Sequence, residues 1–376
     1  MLYITRRTKL KTTEYLQFLA HEAGKVYSRC LVLFKRYLRK KGIWVSKNNM
    51  QKLIRNNNLH SQTVQGIIDK FYENIKSWQQ LRKLNPSTKL PKSQRWYFLI
   101  TYKSSAIRLK ENKLILSNGK GNDAIILDWE HPKPKIVSIS FDGAYYVNAV
   151  YSIPIKENTA AKETCGIDLG EIHLAVANVG TKTFILNGRE LRSKRRYQNK
   201  VKAKFQKKLS KCKKGSRRSK RIHYRKRKIL RKLDNQIKDI LHKQTTKLVC
   251  TLRKENVKTV AIGDVRNLRH NVDYGNHSNQ RIHQMLTGKV RFMITYKAHK
   301  IGMTVNIIDE SYSSQTCPKC LNKHKINDRN YKCLSCGFSF HRDGVGAINI
   351  RQKQMYREYV PVVGVMIPPV GFRYIA

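Results

Sequence analysis

Acidic residues are scarce in this 376-residue chain, with 24 Asp and Glu against 77 Lys and Arg, so the formal net charge is +53. Proline is sparse as well, at 9 residues, and long apolar runs are missing. Nothing approaches the roughly 18 consecutive apolar residues of a membrane-spanning helix. The longest candidate, Val360 to Val370, is interrupted by Pro361, Pro368 and Pro369. Met1 to Arg7 holds no apolar core of a signal peptide. These gaps predict a soluble intracellular protein without a membrane partner. Of the 8 cysteines, Cys30, Cys165, Cys212 and Cys250 stand alone, which speaks against a disulfide framework.

What is present is a folded chain under strong self-repulsion. Apolar residues make up 40% and aromatics 9%, enough to bury cores in two or three domains. Positive charge far beyond the needs of solubility destabilises a compact monomer unless a polyanion neutralises it. Nucleic acid is the expected partner.

The pattern changes along the chain. Leu2 to Thr5 reads as a short strand. Residues 12–84 read as helices, because Leu16, Leu19, Ala23, Val26, Cys30 and Phe34 recur at three- and four-residue steps, as do Val64, Ile67, Ile68, Phe71, Ile75 and Trp78. After Asn85-Pro86, short β runs at 96–102, 114–116, 124–127, 136–141 and 145–153 alternate with turns such as Asp142-Gly143 and predict a small barrel or sheet. Strands at 164–167, 173–179, 259–262 and 304–308, with helices between them, predict an α/β domain from about 163 onward.

Three groups of residues carry chemistry. Cys317-Pro318-Lys319-Cys320 and Cys333-Leu334-Ser335-Cys336-Gly337 form two C-x-x-C knuckles able to present four thiolates tetrahedrally to one structural Zn²⁺. His324 and His341 are further donors nearby, but four cysteines already complete a shell. Asp168 and Asp264 follow apolar strands, and Asp343 opens an apolar stretch just past the second knuckle. Carboxylates gathered at adjoining strand ends can hold two Mg²⁺, with Mn²⁺ as a substitute, to hydrolyse a phosphodiester. From Arg189 to Lys232 there are 23 Lys or Arg and one acid, Glu190, with Tyr197, Val201, Phe205 and Leu209 at four-residue steps. That spacing predicts an amphipathic hairpin with one packed and one cationic face, broken near Gly215. Lys194, Arg195, Arg196, Lys200, Lys204, Lys208, Arg217, Arg218, Arg221 and Arg225 are its candidate phosphate contacts.

The series Gly166-Ile167-Asp168-Leu169-Gly170, Ile262-Gly263-Asp264-Val265-Arg266, Ser314 to Cys320, Cys333 to Gly337 and Arg342-Asp343 through Ile350 resembles the transposon-encoded TnpB (OrfB) proteins. These are RNA-guided nucleases related to type V CRISPR effectors. The resemblance is strongest over 163–352 and looser over 1–156. It implies an α/β multidomain fold: an RNase H-like RuvC domain (163–312 and 341–352) carrying the basic hairpin (189–254), with a zinc ribbon at 313–340. An N-terminal β-barrel wedge (1–10 and 90–160) would carry an inserted helical recognition bundle (11–89), and 353–376 would be a tail.

By the same resemblance Asp168, Asp264 and Asp343 are the three catalytic acids of a Mg²⁺-dependent DNA endonuclease. A guide RNA from the transposon end would direct it to double-stranded DNA beside a short transposon-adjacent motif, one protein per guide, in the cytoplasm and nucleoid of a prokaryotic-type cell. Gln62, Gln65 and Lys70 are the candidate readers of that motif, since an amide can both donate and accept toward adenine. Two departures stand out. Asp264 occupies a place where Glu is common, and Asp-x-Asn-Ala-Ala becomes Asp343-Gly344-Val345-Gly346-Ala347. A cleavage-deficient guided binder and an unguided nucleic-acid-coating protein are the competing readings.

Overall fold

The computed structural model describes residues 1–94, 96–155, 160–266, 273–326, 328–362 and 364–372. It divides into two units, Met1–Pro154 and Ile155–Ala376. Among the described residues no helix is long and apolar enough to cross a membrane.

The first unit is built from β1 (Leu2–Leu10), α1 (Glu14–Lys41), α2 (Lys47–Leu53), α3 (Ser61–Leu84) and strands β2 (Ile100–Tyr102), β3 (Ile107–Lys110), β4 (Lys113–Leu116), β5 (Ile125–Asp128), β6 (Ile136–Phe141) and β7 (Tyr145–Ile153). Helix α1 begins where the Thr13 hydroxyl accepts from the Leu16 amide at 3.2 Å, and it stops at Gly42, whose φ of +63° suits glycine. The apolar stripes of α1 and α3 meet: Leu19, Phe34, Ile68 and Phe71 are completely buried. The β runs form two antiparallel sheets, β1-β7-β6-β2 and β3-β4-β5. Of the run expected at 96–102, only Ile100–Tyr102 is strand.

The second unit contains β8 (Glu163–Asp168), β9 (His173–Val179), β10 (Lys182–Asn187), α4 (Arg189–Ser210), α5 (Arg217–Lys254), β11 (Val257–Gly263), α6 (Gly275–His283), α7 (Thr287–Lys300), β12 (Thr304–Ile308), β13 (Asn330–Lys332), β14 (Ser339–His341), α8 (Arg342–Tyr356) and β15 (Val370–Phe372). Its main sheet has the order β12-β11-β8-β9-β10-β15. β8, β11 and β12 are mutually parallel, while β9 runs antiparallel to both β8 and β10. The C-terminal ends of β8, β11 and β12 therefore share one edge, the usual place for a site in an open α/β sheet. Helix α8 packs on β8 because Gly166 has no side chain. A Cβ there would lie 2.1 Å from the Ala347 carbonyl oxygen.

Helix α5 has 38 residues, about 57 Å at 1.5 Å per residue. Its buried apolar positions, Leu233, Ile237, Ile240, Leu241, Leu248, Val249 and Leu252, all lie in its later part. At roughly 1.5–3 kcal/mol per buried aliphatic side chain, they anchor that half. The earlier half pairs with α4 as a cationic hairpin, and Gly215 takes φ +82° in the connection.

Two further features, both near the C-terminal end, depart from the sequence reading. Helix α8 runs on to Tyr356, past the boundary at 352. The segment expected to be a tail returns as β15, pairing Val370 with Phe184 and Phe372 with Leu186 in parallel register, and stacking Phe372 on Phe184 at 5.9 Å. Three residues following two prolines carry no strand periodicity. Only pairing with the open edge of β10 orders them as a strand. Val363 and residues 373–376 of that segment lie outside the described residues.

Candidate functional site

Strand β8 ends on Asp168, β11 is followed at once by Asp264, and Glu310 stands two residues beyond β12. Asp343 is the second residue of α8. Because β8, β11 and β12 are parallel neighbours, the carboxylates of their C-terminal ends gather at one edge, and α8 delivers the fourth. Gly346 makes room for this: a Cβ there would come within 2.8 Å of Asp168 Oδ2.

The acids are not equivalent. Asp168 is enclosed by its neighbours, though part of its surface stays open. Burial, reinforced by the negative charges of Asp343 and Glu310, pushes its pKa up to about 8. Glu310 is raised to about 7, first by burial and then by Asp264 and Asp309. Burial also acts upward on Asp343, but His173 Nδ1 donates to its Oδ2 at 2.7 Å, and His341 and Arg329 lie close, so the net shift is downward. Asp264 is held low by Arg266, whose Nε donates to both carboxylate oxygens at 2.9 and 2.8 Å. Arg291 Nη1 adds a contact at 3.4 Å.

The structure therefore sets Asp168 within electrostatic reach of both Asp343 and Glu310, and places Asp264 within reach of Glu310, bound to two arginines. Sequence reasoning passed over Glu310. The signal that selected Asp168 and Asp264, an acid just past an apolar strand, also applies to Glu310 after Thr304–Ile308. The donor set fits a hard divalent cation, whose charge would offset the burial and the like-charge repulsion that raise Asp168 and Glu310.

The four cysteines converge. Cys317 Sγ lies 3.6 Å from Cys336 Sγ, and Cys320 Sγ lies 3.5 Å from Cys333 Sγ. Tetrahedral Zn²⁺ with bonds near 2.3 Å sets sulfurs about 3.7 Å apart, so the residues fit one zinc ion. The amides of Ser335 and Cys336 point at Cys333 and, against the effect of burial, bring its thiol down to about 6. The two knuckles close alike: Leu321 N donates to Cys317 O at φ +63°, and Gly337 N to Cys333 O at φ +69°. Asn349 of α8 donates to the carbonyls of Ser313 and Thr316 at 2.6 and 2.8 Å, which ties the knuckle to the sheet unit. His324 contacts Tyr331 (Nε2 to hydroxyl, 3.3 Å), whereas His341 sits with His173 and Asp343.

On α4, Arg196, Lys200, Lys204 and Lys208 are exposed and lie four residues apart along one face. Arg217, Arg218, Arg221 and Arg225 are exposed on the first turns of α5. Lys194 is half-buried. Arg195 is also half-buried, and its guanidinium donates to Gln198 Oε1 and the Gln284 carbonyl. In the first unit, Gln62 has its Oε1 enclosed without a partner, and Lys70 is paired with Glu73 at 2.9 Å. Gln65 is exposed and lines a cleft with Arg55, Asn56, Asn57 and Lys120.

A six-stranded mixed sheet with acids at one edge and a four-cysteine knuckle before the last of them defines a class of α/β proteins with two metal-compatible centres. Residues 147–269 match the family OrfB_IS605, described as a probable transposase, and residues 288–350 match the Cas12f1-like TNB domain. A TnpB-like protein of Methanocaldococcus jannaschii is 33% identical over 119 residues, which cover 31% of this chain and 42% of that one. The CRISPR-associated endodeoxyribonuclease Cas12f1 of Sulfoacidibacillus thermotolerans is 30% identical over 112 residues, 29% of this chain and 25% of that protein. The chain thus matches less than half the length of these two relatives. In a cryo-EM structure of a Cas12f1–sgRNA–target DNA complex, the protein shares its fold at TM-score 0.61 and 12% identity, over 91% of this chain and 84% of that one. Residues 147–269 thus match the OrfB_IS605 family of TnpB-type proteins, and residues 288–350 a Cas12f-like TNB domain.

Proposed function

We propose that the protein is an RNA-guided, Mg²⁺-dependent DNA endonuclease that takes its guide from a transposon end and cuts double-stranded DNA beside a short adjacent motif. The observation that carries this reading is the placement of Asp168, Asp264 and Glu310 at or just past the C-terminal ends of the parallel neighbours β8, β11 and β12, with Asp343 at the start of the helix packed on β8. The order of five of the six strands, antiparallel β10-β9-β8 followed by β11 and β12 parallel to β8, supports the reading of an RNase H-like RuvC domain. The two antiparallel sheets and three helices of the first unit suit a wedge and a recognition bundle. The names of the relatives, which include endodeoxyribonucleases, point the same way.

Mg²⁺, when bound, supplies Lewis-acid polarisation of the scissile phosphate and of the attacking water. Asp168, Glu310 and Asp343 would hold it. Asp264, neutralised by Arg266 and Arg291, fixes the arginines beside the site. The exposed rows on α4 and α5 hold nucleic-acid backbone by charge, while base pairing with the guide supplies sequence choice. Glu310 supports the cleaving reading over a binding-only one, because it provides the longer carboxylate that Asp264 lacks.

The test is Asp168→Ala, Glu310→Ala and Asp343→Ala, assayed for guided cleavage and for RNA and target binding. Cleavage is expected to fall by at least about 100-fold, several kcal/mol of charge stabilisation at 1.4 kcal/mol per decade, with binding retained. Parallel loss of binding would refute the assignment. Sequencing the RNA that co-purifies with the protein separates guidance from coating: a single species ending in a variable segment is expected.

A further inference from the structure

At the start of α8, beside the acids and outside the cysteine knuckle, two imidazoles and a carboxylate meet. His173 on β9 lies with its ring centroid 4.8 Å from that of His341, at an interplanar angle of 63°. His173 Nδ1 is 2.7 Å from Asp343 Oδ2. One donor atom from each of His173, His341 and Asp343 lies within 4.8 Å of the other two. His341 Nδ1 is buried and has no hydrogen-bond partner, an unsatisfied state that a metal ion would relieve.

Hard-cation chemistry does not explain this group. Mg²⁺ takes oxygen ligands, whereas neutral imidazoles are ligands for borderline transition metals. We propose that His173, His341 and Asp343 form a second transition-metal site, suited to Zn²⁺, that is separate from the four cysteines and shares Asp343 with the Mg²⁺-compatible acids. Donors around a tetrahedral ion with bonds near 2.1 Å stand about 3.4 Å apart. A fourth ligand would come from solvent or a phosphate. The local competitor is Arg329, whose Nη1 lies 3.5 Å from Asp343 Oδ2. Its side chain is 46% exposed and free to swing toward water.

Metal occupancy here does not depend on the proposed cleavage, but its consequence does. An ion on Asp343 withdraws that carboxylate from Asp168 and Glu310, so the site would inhibit Mg²⁺-dependent cutting.

The test uses the full chain without nucleic acid, dialysed against Zn²⁺ and analysed for metal content. Two Zn²⁺ per chain are expected, falling to one in the His173→Ala/His341→Ala double variant and remaining two in Asp168→Ala. Each single histidine variant should bind the second ion at least tenfold more weakly. In Co²⁺-loaded protein the thiolate charge-transfer bands should be unchanged by the histidine substitutions, which shows that the knuckle is still folded. One Zn²⁺ in the wild-type chain, two in the double variant, or loss of the second ion in Asp168→Ala alone would each overturn the proposal. Because no cleavage is read, an inactive nuclease leaves the result intact.

Discussion

Gly263 and Glu310 share one volume of space. A Cβ added to Gly263, the last residue of β11, would lie 2.5 Å from Glu310 Oε2 and 2.9 Å from Ile350 Cδ1. Gly263→Ala should therefore push the Glu310 carboxylate away from Asp168 and reduce cleavage by tenfold or more, with little effect on RNA binding. Full activity in this variant would remove Glu310 from the metal site.

Glu310 and Asp264 make separable contributions. Glu310→Gln removes the charge that acts on Asp168 and should abolish detectable cutting. Asp264→Asn breaks the contacts with Arg266 and Arg291 and should cost less. Cleavage rates of the two variants over a Mg²⁺ series decide the order, and a larger loss for Asp264→Asn would return the second-acid role to that residue.

The metal-free protein should lose stability as pH rises. The folded pKa values of Asp168 and Glu310, about 8 and about 7, exceed their ordinary values of 3.8 and 4.5. The folded chain thus keeps protons that the unfolded chain has released. The stabilising contribution is complete below the ordinary values and lost as pH passes through about 7 to 8. Thermal melting should therefore fall across this window, Asp168→Asn should flatten the slope, and Mg²⁺ should raise Tm more at high pH than at low pH. A slope unchanged by the substitution would assign the protons elsewhere.

Asn349 anchors the zinc knuckle. Asn349→Ala leaves the Ser313 and Thr316 carbonyls without their amide donor, at about 1–3 kcal/mol for each buried group. The variant should release zinc to a chelator faster than wild type by about tenfold. An equal release rate would show that the four thiolates hold the knuckle without support from α8.

The α4 row is a phosphate clamp. If Arg196, Lys200, Lys204 and Lys208 each neutralise one RNA phosphate, replacing all four with Gln should reduce the log–log salt slope of RNA binding by about 3, at about 0.7–0.9 per contact. The half-buried Arg195 should behave differently. Its bonds to Gln198 and Gln284 tie α4 to the end of α6, so Arg195→Gln should lower stability more than it changes the slope.

Local patterns carried much of this molecule. The cysteine spacing specified the knuckle, the three- and four-step stripes specified α1, α3, α4 and α5, and the charge count named a polyanionic partner, because each signal is contained within a few turns of chain. Asp168 and Asp343 were legible because each borders an apolar run. Glu310 was not singled out, since its importance comes from β12 lying beside β11 in parallel register, a relation between residues more than 40 positions apart. The same holds for His173 meeting His341 and for Val370–Phe372 completing the sheet edge. Residue type and spacing set which chemistry was available to this chain. Which carboxylates face one another, and which are neutralised by arginine, followed from the packing of strand ends and α8, where burial and charge at a few ångströms separate groups that look alike in the sequence.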